Sequence, residues 1–124
     1  MIKGTGIDIV QIKRMEKWLS DIMLLKRFFH QDEIIYAQSL GKNAAASLAA
    51  RFAAKEAYGK ALGTGLANLS LNEIMVFNNN NGKPEIKLFG SAYSALEKSG
   101  SNKVHISLTH EKDNAVAIVI LEEV

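Results

Sequence analysis

Two acids and three cations carry the chemistry legible in this chain: Asp8 near its start, and Arg51, Lys55, Glu56 and Lys60 within one alanine-rich stretch. At roughly 100° per residue, Glu56 and Lys60 share one flank of a helix, while Arg51 and Lys55 share another with Tyr58 close by. Two carboxylates suffice for one Mg²⁺, which keeps several waters and takes one or two protein carboxylates together with phosphate oxygens. Arginine grips phosphate bidentately and lysine adds a mobile point charge, so the three cations fit a polyanionic ligand. The acids equally fit general acid and base work in a hydrolase, although a glycosidase leaves Arg51, Lys55 and Lys60 without a role. All four helix charges also fit ordinary ion pairs, the commoner use of such residues. For Asp8 the competing role is an N-cap, because a helix starts close behind it.

The helix that must position Glu56 reads from Ser47 to Gly65. Its alanines, leucines and phenylalanine leave almost no polar face between Leu48 and Leu62, which predicts burial. Ala49, Ala53 and Ala57 share the flank of Glu56 and Lys60, so another backbone can come close there. Gly63 and Gly65 end the helix and permit positive φ. Asp8 belongs to a strand over residues 4 to 10, where alternation sets Ile7 and Ile9 on one face and Gly4, Gly6 and Asp8 on the other. Glycines inside a strand mark close approach of a ligand or a second backbone.

Residues 11 to 20 suit an amphipathic helix with Ile12, Met15 and Leu19 toward a core. Its other side gathers Arg14, Lys17 and Trp18, and Lys26 and Arg27 follow shortly. A basic cluster is usually a solvated face, but Trp18 beside arginine on an exposed surface fits a protein-docking anchor. Phe28 to Ile34 turns the chain into a short helix with Gln31 or Asp32 in its first turn. Residues 73 to 77 and 85 to 89 read as a hairpin with a polar tip. Ser91 to Ser99 is expected to be a helix with Ser91 as N-cap and Gly100 as its stop. Val104 to His110 and Ala115 to Leu121 form a last pair of strands, the second apolar enough to be central. His105, Ser107 and Thr109 share a face, and His105 reads as a hydrogen-bonded structural residue.

With 124 residues, 48% of them apolar and 23% charged, the chain is expected to form one globular domain. So short a chain does not easily enclose a large substrate, and a site shared between subunits is expected. The absence of cysteine excludes disulfides, thiolate metal sites and a cysteine nucleophile, leaving room for a hard metal on oxygen ligands. A net charge of +2 gives no global signal for nucleic acid or a membrane as partner. The opening Met1-Ile2-Lys3-Gly4 offers no apolar signal region, and a cytoplasmic protein is expected.

Arg51-Phe52-Ala53-Ala54-Lys55-Glu56-Ala57, running into Lys60-Ala61-Leu62-Gly63-Thr64-Gly65, resembles the signature of the holo-acyl-carrier-protein synthases, small homotrimeric 4'-phosphopantetheinyl transferases. The resemblance spans the chain in order: Gly-x-Gly-x-Asp ending at Asp8, the Glu56 helix, Gly82-Lys83-Pro84, and Ser107-Leu108-Thr109-His110. It implies an α+β fold, mainly antiparallel sheet against the long alanine-rich helix, as one domain over 1–124 in a homotrimer with sites between subunits. The implied reaction is Mg²⁺-dependent transfer of 4'-phosphopantetheine from coenzyme A to a serine of an acidic apo acyl carrier protein, in fatty acid biosynthesis, releasing adenosine 3',5'-bisphosphate. Asp8 and Glu56 become metal ligands and, with Lys60, the catalytic group, Lys60 lying on the transferring phosphate. Arg51, Lys55, Lys60, Gly63, Thr64, Gly65, Lys83, Pro84, Ser107, Thr109 and His110 become coenzyme A contacts, with Arg51, Lys42 or His110 at the 3'-phosphate. Arg14, Lys17, Trp18, Lys26 and Arg27 become the carrier-docking surface. Two positions differ from the pattern: Glu111 stands where threonine or another small polar residue is usual, and His30 stands where threonine or serine is common, which implies local capping rather than catalysis for His30. Two rival readings use the same residues, a pyrophosphate hydrolase with water as nucleophile and a nucleotide-binding module without chemistry.

Overall fold

A computed structural model describes the whole chain, residues 1–124. Its strands are β1 (Ile2–Gln11), β2 (Ile74–Asn78), β3 (Pro84–Leu88), β4 (Lys103–His110) and β5 (Asn114–Glu122). The helices are α1 (Ile12–Glu16), α2 (Ile22–Phe28), α3 (Gln31–Gln38), α4 (Ala44–Leu62) and α5 (Gly90–Lys98). This is the expected α+β architecture. An antiparallel sheet in the order β1-β5-β4 packs against α4, and β2 pairs with β3 as a separate hairpin. No helix is long and apolar enough to cross a membrane.

The sheet and α4 meet backbone to backbone. A Cβ on Gly4 or Gly6 would overlap the carbonyl oxygen of Ala61 or Ala57, so only glycine lets the helix lie this close to β1. The backbone that the alanine flank admits is therefore β1. Val119 and Leu121 of β5 fill the rest of that inner face and are fully buried. The outer face runs in antiparallel register through Ile7, Ile118 and Ser107, then Ile9, Val116 and Thr109. It is left to solvent, with Ile7 59% and Ile9 62% exposed.

The region before α4 differs from the sequence reading. Instead of one helix over 11–20, α1 spans only five residues and a turn follows. Asp21 then caps α2, its carboxylate accepting from the Leu24 N–H at 3.1 Å. The break turns Trp18 inward, where its ring stacks on Phe28 (5.2 Å) and meets Phe52 edge-on (5.3 Å). Aromatic packing outcompetes helix continuation there, and Leu19, expected toward the core, is 37% exposed. His30 does cap α3, its ring accepting from the Asp32 N–H while Glu33 accepts from the His30 N–H. Ser91 does not cap α5. The helix starts after Phe89, and Ser91 instead donates to Glu73 at 2.6 Å. Gly100 stops α5 with φ 81°.

Candidate active site

Asp8 lies two residues beyond Gly6 on the inner face of β1, so the close packing that Gly6 permits brings its carboxylate to the flank of α4. Lys60 Nζ donates to Asp8 Oδ1 and to the Ile7 carbonyl, both at 2.9 Å. Only 18% of the Asp8 side chain is exposed, against 54% of Lys60. The Glu56 carboxyl sits one turn before Lys60 and is held above the usual carboxylate range, first by burial and then by the charge of Asp8. Arg14 and Lys60 pull it the other way. The two acids are thus close enough to repel, with two cations beside them. No group of three or more His, Asp and Glu able to hold a metal ion forms anywhere in the fold, and at this position the two acids stand as a pair. Asp8 caps no helix: α1 begins after Gln11, which makes no side-chain cap.

A second site opens on another flank of α4. Arg51 is 96% buried, being only 4% exposed. Its guanidinium donates to Ser47 Oγ at 2.9 Å and Asn78 Oδ1 at 3.1 Å, and lies 4.8 Å from the Tyr36 ring centre. Nε has no partner, and no carboxylate bonds the group. Burial lowers its pKa, against the opposing charges of Glu33 and Tyr36. A buried cation without an acid partner is costly, and a guanidinium in that state can take an anion bidentately. The adjoining cleft, about 410 Å³, is lined by Arg51 with Tyr36, Asn78, Pro84, Thr109 and His110. His110 also borders a neighbouring cleft that holds Lys42 and Glu111. Glu111, a departure from the family pattern, closes the β4–β5 turn, accepting from the N–H groups of Asp113 and Asn114. Those hydrogen bonds hold its carboxyl below the usual range.

The remaining residues of the sequence reading scatter. Lys55 is fully buried, bonded to Glu33 Oε1 at 2.7 Å and to the carbonyls of Leu71 and Ile74, so no donor is left for a nucleotide. Gly63, in the left-handed region at φ 81°, ends α4, and the Gly65 N–H returns to the Gly59 carbonyl at 3.0 Å. Thr64 lines a cavity of about 670 Å³ between residues 62–69 and α5, and Asp8, Glu56 and Arg51 do not line it. Lys83 sits at the hairpin tip near His105, and Ser107 lies on the outer face beside Ile118 rather than in the Arg51 cleft. Of the docking set, Arg14 lies over Trp18 (5.5 Å) and Phe52 (5.0 Å) beside Glu56. Lys17 is exposed, and Lys26 and Arg27 end α2 near the 75% exposed Met23. Trp18 is a packing residue beneath this surface rather than an exposed anchor. Sequence reasoning missed Tyr36, Asn78 and Ser47; only Ser47, one turn before Arg51, left a local signal.

The 4'-phosphopantetheinyl transferase superfamily matches residues 4–119. The chain belongs to this family of transferases. It is 56% identical over 122 residues to the holo-[acyl-carrier-protein] synthase of Treponema denticola, covering 98% of this chain and 99% of that protein. Among solved structures, that of the Neisseria meningitidis holo-[acyl-carrier-protein] synthase superposes with a TM-score of 0.88 at 34% identity, covering 99% of this chain and 100% of the other. The Bacillus anthracis holo-(acyl-carrier-protein) synthase, solved in complex with CoA (3',5'-ADP), gives a TM-score of 0.83 at 38% identity, with 100% and 99% covered.

Proposed function

We propose that this chain is a holo-acyl-carrier-protein synthase that moves 4'-phosphopantetheine from coenzyme A to a serine hydroxyl of an acidic apo acyl carrier protein, releasing adenosine 3',5'-bisphosphate. The observation that carries the reading is the acid centre, where the Asp8–Lys60 contact of 2.9 Å stands beside a Glu56 whose proton affinity is raised first by burial and then by the charge of Asp8. Two hard, mutually repelling carboxylates with no competing thiolate fit Mg²⁺. Bound there, Mg²⁺ supplies stabilisation of the charge that builds on the pyrophosphate oxygens. Lys60, half exposed at the edge of the pair, meets the transferring phosphate as a point charge. Glu56, on the flank of α4 beside Lys60, is the group placed to receive the proton leaving the serine hydroxyl. Arg51, with His110 and Lys42 at the adjoining clefts, receives the 3'-phosphate, and the Tyr36 ring and Pro84 wall the same cleft.

The site is completed between subunits. Arg51 and Glu56 are five residues apart, about 140° around α4, so their groups face different directions. Glu56 does not line the Arg51 cleft within one chain. The exposed outer face carrying Ile7, Ile9 and Ile118 supports burial against further copies, in the trimer that the family resemblance implies. The basic groups Arg14, Lys17, Lys26 and Arg27 offer an acidic carrier a surface beside the acid centre.

Mass spectrometry of an apo carrier protein incubated with this chain, coenzyme A and Mg²⁺ tests the proposal. Gain of one phosphopantetheine, lost on chelation, is the expected result. Release of adenosine bisphosphate without any carrier would mean hydrolysis instead, and nucleotide binding that survives Glu56→Gln with no carrier modified would mean a binding module.

A further inference from the structure

Glu33 and Lys55 form the only ion pair with both side chains fully shielded from solvent, and neither touches the acid centre or the Arg51 cleft. Fold stability does not account for such a pair, because apolar residues of similar volume commonly serve as well or better. Their remaining valences explain it. Lys55 donates to the carbonyls of Leu71 and Ile74, while Glu33 accepts from the Val76 N–H at 3.1 Å and the His30 N–H at 2.9 Å. The pair therefore ties α3, α4 and β2 at one point. Each tie lies a short step from a group around the Arg51 guanidinium. Glu33 precedes Tyr36 by one turn of α3, Val76 precedes Asn78 on the same face of β2, and Lys55 follows Arg51 by one turn of α4. Tyr36 and Asn78 are two of the three side chains that hold the guanidinium.

We propose that Glu33 and Lys55 are positioning residues for the nucleotide: they fix the spacing of Tyr36, Asn78 and Arg51, and so preset the cleft for the phosphate of coenzyme A. This rests on the reading of that cleft given above. A preset guanidinium binds its anion without first being ordered, so the contribution falls on affinity for the nucleotide and not on the later chemical step. Lys55, expected from sequence to touch the ligand, acts on it through the backbone of β2.

The test is the double variant Glu33→Leu/Lys55→Met, which keeps the volume and removes every tie. KM for coenzyme A, KM for the apo carrier and kcat are measured together, with calorimetric affinity for adenosine 3',5'-bisphosphate as a readout independent of catalysis. The expected result is a rise of about tenfold in KM for coenzyme A and in the nucleotide Kd, with carrier KM and kcat nearly unchanged. Glu33→Gln keeps the size and the acceptor for Val76, so it should show the same split more weakly and covers the case in which the double variant does not fold. A folded variant with a lowered Tm and an unchanged coenzyme A KM would overturn the proposal and leave the pair purely structural. A native protein that binds no nucleotide would overturn the reading of the cleft, and the positioning role with it.

Discussion

Gly6→Ala tests the link between packing and chemistry most directly. The added methyl has no open space: it would overlap the carbonyl oxygen of Ala57, which is helix backbone and not a side chain that can turn away. Strand and helix must then part by about 1 Å, an overpacking that costs about 1–3 kcal/mol in a close-packed core. In a domain of this size that lowers Tm by roughly 4 °C per kcal/mol. Asp8 is two residues further along the strand, and its carboxylate now lies 2.9 Å from Lys60. A shift of about 1 Å at a reacting centre is worth on the order of 10²-fold in rate. Thermal unfolding and carrier modification, the latter measured well below the variant's Tm, separate the two effects. Gly100→Ala is the control. There φ is 81° and the nearest atom to a new methyl is 3.7 Å away on Lys3, so it costs about 1–2 kcal/mol of backbone strain without loss of transfer. A Gly6→Ala protein with native Tm and native activity would refute the backbone contact and the placement of Asp8 that follows from it.

Glu56→Gln should abolish transfer yet stabilise the metal-free fold at neutral pH. Because the folded carboxyl is raised, the native state holds its proton more tightly than the unfolded chain, so stability present below the ordinary carboxylate pKa is lost as pH rises through the folded value. The variant's Tm advantage should therefore shrink as pH falls into the carboxylate range, and a gain independent of pH would contradict the cause given for the shift. Lys55→Met alone leaves the Glu33 carboxylate buried and unpaired, which should cost about 3–5 kcal/mol in denaturant unfolding, well above the double variant. Arg51→Lys cannot keep both the Ser47 and Asn78 contacts, so KM for coenzyme A should rise about tenfold in steady-state kinetics. Arg14→Glu should raise carrier KM by a factor that fades with added salt, since exposed charge attraction is screened.

The long helix was legible because its signals are local. Alanine content fixes a buried helix, and Gly63 takes the left-handed stop that other residues resist, as its φ of 81° shows. The same holds for the Gly4, Gly6 and Asp8 face, which strand periodicity alone assigns. Residues 11 to 20 misled because the apolar spacing of a helix was present, but Trp18 had a stronger claim from Phe28 and Phe52, the second of them far along the chain. Ser91 looked like an N-cap until Glu73 from another element took its hydroxyl.

Lys55 and Lys60 show where the boundary falls. Both are lysines on one helix, five residues apart, and the sequence determined the chemistry each can offer and the flank it occupies. Tertiary structure alone decided their fates, by setting Glu33, 22 residues before Lys55, in a dry core and Asp8, 52 residues before Lys60, at a wet edge. Periodicity and backbone chirality are properties of neighbouring residues and can be read along a chain. Desolvation and charge pairing depend on which distant segments meet, and they separate a lysine that fastens the core from one that pairs with an acid at the solvent edge.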